Sequence, residues 1–234
     1  MIKTIALDYG NVLARPASGN WMLPKNLKEV LGARGTLQFI AGAAKLPELM
    51  KQGMEYLDSN HKLQTEEEEY EQFAEFYRIL FGGCGIKKDL DSICGELARG
   101  TINGAGGIVL YDDTLPGIRA MKERWQVLVI SDNWPSLKRR LEESGVAPLL
   151  DGLVMSCDHG VTKSKGPRLF EIAVEQYGIA PEETLFVDDS EKNLGQAKAL
   201  GFHVALMDRD GKVTQSEYPI VRDLAEVMAL AEKI

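Results

Sequence analysis

Three short apolar runs, each closed by a side chain capable of chemistry, constrain this sequence more than anything else in it. Ile5, Ala6 and Leu7 end in Asp8, Val127–Ile130 ends in Ser131, and Leu185–Val187 ends in the pair Asp188–Asp189. A run with no polar alternation suits a strand buried on both faces, as in a parallel sheet. Each run is followed by a helical pattern, and alternating β and α predicts a doubly wound parallel sheet. Such sheets bind ligands beyond the carboxyl ends of their strands, where these side chains fall. A terminal Asp or Ser alone is commonly a helix cap. Three strand ends of compatible chemistry point to one built site.

After the first run the pattern changes. Ala14–Asn20 is small, polar and proline-bearing and reads as a hinge. From Trp21 to about Gly100 apolar residues recur at helical spacing, through Leu27–Leu31, Leu46–Met54 and Tyr70–Phe81. Thr65 with Glu68 forms a capping-box pattern, and the acidic run Glu66–Glu69 reads as a solvated first turn. Gly100–Gly107 matches no phosphate-loop template and reads as a second hinge. Two hinges imply an insertion: an α/β core from 1–15 and 105–234, and an all-helical domain from 16–104. Past Tyr111 the order is a helix to Arg124, the strand Gln126–Ile130, a helix opened by Pro135, the strand Leu153–Met155 and the helix Pro167–Tyr177. The strand Thr184–Val187, the helix Glu191–Leu200, the strand His203–Leu206 and a closing helix Ile220–Ala231 follow.

The formal charge of −8 argues against nucleic acid and anionic membrane as partners. No run approaches the roughly 20 apolar residues of a membrane span, and the first residues show no signal-peptide apolar core. Three cysteines without a CxxC pair fit a reducing compartment. The expectation is a cytoplasmic protein with a small-molecule partner, monomeric or homodimeric.

The strand ends suggest particular chemistry. Asp8 is a candidate nucleophile, because a carboxylate can take a phosphoryl group covalently and later release it to water. Asp8 and Asp189, with the carbonyl of Gly10, offer the hard oxygen ligands that Mg²⁺ prefers. Asp188 would bind the metal or orient the site, and Asn193 would hydrogen-bond a metal water. Ser131 and Asn133 precede a proline-opened helix whose first N–H groups make an anion site. Asn11 and Asp132 are expected to contact substrate beside them. Lys163 or Lys165, in GVTKSKGP, would balance the charge of phosphate among carboxylates. His61, His159 and His203 share no metal-ligand spacing.

Taken in order, LDYGNVL, VISDN, GVTKSKGP and LFVDDSEKN resemble the motifs of the haloacid dehalogenase-like (HAD) superfamily of phosphohydrolases, over Met1–Leu13 and Tyr111 to about Arg209. The resemblance implies a Rossmann-like core with a helical cap inserted after the first motif, and an aspartyl-phosphate mechanism with Mg²⁺. On that pattern Asp8 is the nucleophile, Ser131 binds phosphoryl oxygens, a lysine neutralises charge and Asp189 carries the metal. Two departures stand out. Gly10 occupies the place of a second aspartate that protonates the leaving group, a role typically worth about 10²–10⁴ in rate. Neither Lys163 nor Lys165 has the family's usual spacing to Phe170, and the preceding Gly160–Val161 favours Lys163. The expected function is a Mg²⁺-dependent phosphatase for a small phosphorylated metabolite. A metal-independent dehalogenase-type hydrolase using the same Asp8, and a weakly catalytic binder of a phosphorylated ligand or protein partner, are the alternatives.

Overall fold

The computed structural model describes residues 1–103 and 107–234. The chain begins with β1 (Thr4–Leu7) and β2 (Ala14–Pro16), then α1 (Leu27–Gly42), α2 (Leu46–Ser59), α3 (Glu66–Tyr77) and α4 (Leu90–Ile102). It continues with β3 (Ile108–Leu110), α5 (Thr114–Lys122), β4 (Gln126–Ser131), α6 (Ser136–Glu143), β5 (Gly152–Met155), the short α7 (Ser156–His159) and α8 (Arg168–Tyr177). β6 (Thr184–Asp188), α9 (Glu191–Ala199), β7 (His203–Met207), β8 (Ile220–Val221) and α10 (Leu224–Ala231) complete it.

Six strands form one parallel sheet in the order β5-β4-β1-β6-β7-β8. β1 lies in its interior, which explains the unbroken apolar run: all four of its residues are buried. Register then fixes the geometry of the strand ends. Leu7 pairs with Val129 on one side and with Val187 on the other. Asp8 and Asp188 therefore each stand one residue past a paired position on neighbouring strands, and Ser131 stands two past on the third. Phe170 of α8 packs edge-on against Phe186 of β6, 5.0 Å between ring centres, within a core that includes Ala6, Ile130, Leu169 and Phe202. Tyr177 secures the edge strand, its hydroxyl 2.9 Å from the Leu153 N–H and 3.1 Å from the Leu153 carbonyl. Its ring passes so close to Gly152 that any side chain there would collide.

The described residues divide into two compact units. One comprises 1–15, 110–133 and 137–234 and contains the six-stranded sheet; the other comprises 16–109 with 134–136. The second unit is built on helices α1–α4, around Leu57, Phe73, Phe76, Tyr77, Leu80 and Leu97. The Thr65–Glu68 capping box is present at the start of α3. The chain passes between units through β2 and β3, which pair in a two-stranded sheet. The segment expected to be a flexible hinge from Ala14 thus starts as a strand, because its backbone finds a partner ladder. Gly100, expected in the second hinge, is buried inside α4, and the expected boundary at 105 lies outside the described residues.

Two further expectations are corrected. Ile220–Val221 is an edge strand beside β7, and the last helix starts only after Asp223, whose side chain caps it by accepting the Glu226 N–H at 2.7 Å. Glu69 is not solvated. It is 1% exposed, and its carboxylate accepts both the N–H and the hydroxyl of Ser136 at 2.7 Å each. Helical periodicity placed Glu69 in an acidic first turn, but only packing could show that this one of four glutamates has a partner inside. Trp134 joins the same unit, its ring tilted by 50° against Phe73 with centres 5.0 Å apart and its indole N–H on Gln72 at 2.7 Å.

Candidate active site

The strand ends of the α/β unit bring three carboxylates together. Asp8, Asp188 and Asp189 each offer an oxygen, and these oxygens lie within 4.8 Å of one another. Lys163 reaches them from the turn before α8. Its ammonium lies 2.7 Å from Asp8 and 2.6 Å from Asp188 and is 1% exposed. Lys165, two residues on, is exposed. Lys163 is thus placed among the carboxylates, held in part through its backbone N–H, which donates to Asp132 at 2.9 Å.

Burial pushes Asp8 up to about 7; Lys163 opposes this, while Asp188 and Asp189 add to it. Asp189 is raised as well, mainly by burial and by Asp188, against the hydrogen bond from Asn11. Lys163 is driven the other way from what burial alone would do, because Asp188 and Asp8 hold its proton. Ionised together, three carboxylates against one ammonium would leave two negative charges uncompensated in a small volume; burial and this repulsion are why Asp8 and Asp189 hold their protons more tightly. A hard divalent cation is the group such a donor set fits.

Each carboxylate has its own support. The Asp8 N–H bonds to the Val187 carbonyl at 2.9 Å, locking the strand end. Asp188 is fully buried and accepts from Ser190 N–H at 2.8 Å and from the amide of Asn193 at 3.1 Å to each oxygen. Asn193, expected to address a metal water, has its amide N–H groups on Asp188. Asp189 is held by Asn11, whose amide donates to it at 2.8 Å. Asn11, expected to touch substrate, takes a left-handed backbone with φ of 54°, which Asn tolerates better than most residues.

Ser131 ends β4 with a buried hydroxyl that has no hydrogen-bond partner among the described residues. It is a donor without an assigned acceptor at the carboxyl edge of the sheet. The backbone N–H of Asn133 donates to Ser156 Oγ at 3.0 Å. The first N–H of α6, expected to face an anion, is answered by Glu69 instead. Ser156 was missed in the sequence, although it follows the apolar run Leu153–Met155 just as Ser131 follows its own run.

A family model described as haloacid dehalogenase-like hydrolase matches residues 2–201. The chain belongs to this family. It is 25% identical, over 93% of its length and 88% of the relative's, to a protein of Escherichia coli named GMP/IMP nucleotidase YrfG. Two solved HAD structures share the fold. One is a 2-haloacid dehalogenase from Pseudomonas syringae, with a TM-score of 0.70 and 14% identity, covering 100% of this chain and 99% of that one. The other is the putative HAD-hydrolase YfnB from Bacillus subtilis bound to magnesium, with a TM-score of 0.66 and 17% identity, covering 98% of each chain. Among the described residues of this HAD hydrolase, no helix is long and apolar enough to cross a membrane.

Proposed function

We propose that this HAD hydrolase is a Mg²⁺-dependent phosphatase of a small phosphorylated metabolite, acting in the cytoplasm through an aspartyl-phosphate on Asp8. The observation that carries the reading is the pair Asp188–Asp189 beside Asp8, with oxygens mutually within 4.8 Å. Asp8, Asp189 and the Gly10 carbonyl would hold Mg²⁺, with Asp188 close by. Bound there, the ion supplies charge stabilisation at phosphoryl oxygens.

The chain's own groups do the rest. The Asp8 carboxylate attacks phosphorus, the ester oxygen leaves with its electron pair, and water later cleaves the acyl phosphate to regenerate Asp8 and release phosphate. The Ser131 hydroxyl donates to a phosphoryl oxygen. Lys163, fixed between Asp8 and Asp188, holds a positive charge where the substrate is negative, with no reorganisation needed at the moment of reaction. Gly10 supplies no proton, so substrates with good leaving groups turn over fastest.

That glycine also supports a second reading. Halide departure needs no proton, so a hydrolytic dehalogenase would not miss the acid at position 10. Against it stands the second carboxylate at Asp189, which a metal-free displacement does not need. The test is hydrolysis of p-nitrophenyl phosphate by wild type and Asp8→Asn, with Mg²⁺ and with EDTA, beside halide release from a 2-haloacid. Phosphate release requiring both Asp8 and metal supports the phosphatase, and metal-independent halide release supports the dehalogenase. Ligand binding with no turnover in any arm would point to a binding protein. Nucleoside monophosphates belong in the substrate screen because of the nucleotidase relative.

A further inference from the structure

We propose that Arg209 is a positioning residue that holds the loop after Asp8 in the shape the carboxylate cluster requires; the proposal rests on the phosphatase reading. Arg209 lies two residues past β7, and its side chain is 7% exposed. Its Nε and Nη2 donate to the Val12 carbonyl at 3.1 and 2.5 Å. Nη1 donates to both oxygens of Asp113, at 2.9 and 2.7 Å, so the buried charge is paired. The guanidinium lies over Tyr111, 4.3 Å from the ring centre.

The next carbonyl of the loop is fixed from the same side. Leu13 accepts the Tyr111 N–H at 3.0 Å and the Thr114 hydroxyl at 2.7 Å. Asp113 also accepts the Leu224 N–H at 2.8 Å, which ties this anchor to the start of α10. One residue before Val12, the loop is also held by Asn11 on Asp189. Gly10, whose carbonyl is the backbone ligand in the proposed site, is therefore followed directly by a segment clamped at Asn11 and at Val12. Val12 is fully buried, so without Arg209 its carbonyl would be left without this partner inside the protein, and the loop would move to relieve it. Lysine cannot replace the fork, because one ammonium does not reach the carbonyl along two parallel N–H bonds while also stacking on the tyrosine.

The experiment measures Mg²⁺ binding to the full chain by calorimetry, with kcat and KM for p-nitrophenyl phosphate alongside. Wild type, Arg209→Lys and Ile172→Ala are compared; Ile172 packs in the core on α8, away from this loop. The expected result for Arg209→Lys is Mg²⁺ binding weakened by about tenfold or more, the range typical when the support of a metal ligand is lost, with kcat partly restored at high Mg²⁺. Amide exchange in EDTA should quicken across residues 10–13. Ile172→Ala should lower Tm and leave Mg²⁺ affinity unchanged. Arg209→Lys binding Mg²⁺ within twofold of wild type, or Ile172→Ala weakening it equally, would overturn the proposal while leaving the phosphatase reading in place. A wild type that takes up no Mg²⁺ would remove both.

Discussion

Asn193 turns its amide onto both carboxylate oxygens of Asp188, 3.1 Å from each. It does so from the first turn of α9, one helical turn past the strand end that carries Asp188. The pairing fixes which way a fully buried carboxylate faces. Asn193→Ala should therefore lower kcat/KM and apparent Mg²⁺ affinity by roughly 10–100-fold, the cost typical of removing a group that orients a metal-site carboxylate. Steady-state kinetics across a Mg²⁺ series would measure this, and an unchanged Mg²⁺ dependence would show that Asp188 is held well enough by Ser190 and Lys163.

Lys163 is the sole ammonium in ion-pair contact with Asp8 and Asp188 among the described residues. Lys163→Met would leave two buried carboxylates facing each other. Breaking a buried pair in this way costs about 3–5 kcal/mol. Urea unfolding in EDTA should show a clear loss of stability, and Mg²⁺ should restore part of it.

Asp8 gives the opposite sign. Its pKa in the folded protein is about 7, above the ordinary value of 3.8, so the folded state holds a proton that the unfolded state has lost between those two pH values. With metal chelated, this group makes stability fall as pH rises through that window. Asp8→Asn removes the effect. The variant should be inactive, yet melt at a higher temperature than wild type at pH 8 in EDTA, with the difference shrinking towards pH 4. A difference that does not change with pH would mean that Asp8 is not the group responsible.

Glu69 answers two donors of Ser136. Glu69→Ala leaves a buried N–H and hydroxyl unpaired, worth about 1–3 kcal/mol. Hydrogen exchange should quicken at the start of α6, and Glu69→Gln, which retains one acceptor, should recover part of the protection.

Tyr177 and Gly152 meet so closely that a methyl group at 152 has no space. Gly152→Ala should shift the edge strand β5 or expel the ring, at a cost of about 1–3 kcal/mol. Far-UV thermal melts would read the loss, and a melt matching wild type would show that the ring can withdraw freely.

The sequence by itself determined the alternation of strand and helix, because buried parallel strands must be continuously apolar and their crossovers amphipathic. It also determined that Asp8, Ser131 and the Asp188–Asp189 pair end strands, and that a helical block interrupts the core. Only the tertiary structure decided which strands are neighbours, since no local pattern encodes that β1 lies between β4 and β6 with Leu7 in register with Val129 and Val187. That register, rather than any motif, brings Asp8 and Asp188 onto one ammonium and separates Lys163 from Lys165. It also decided the partners of Asn11, Asn193 and Glu69, side chains whose polarity suggested solvent or ligand, and of Arg209, which no local pattern singled out. A buried polar group must find a hydrogen-bond partner, and those partners lie anywhere from 5 residues away in the chain for Asn193 to 197 for Arg209. Sequence periodicity carries information over a few turns; pairing across such distances exists only once the chain has folded.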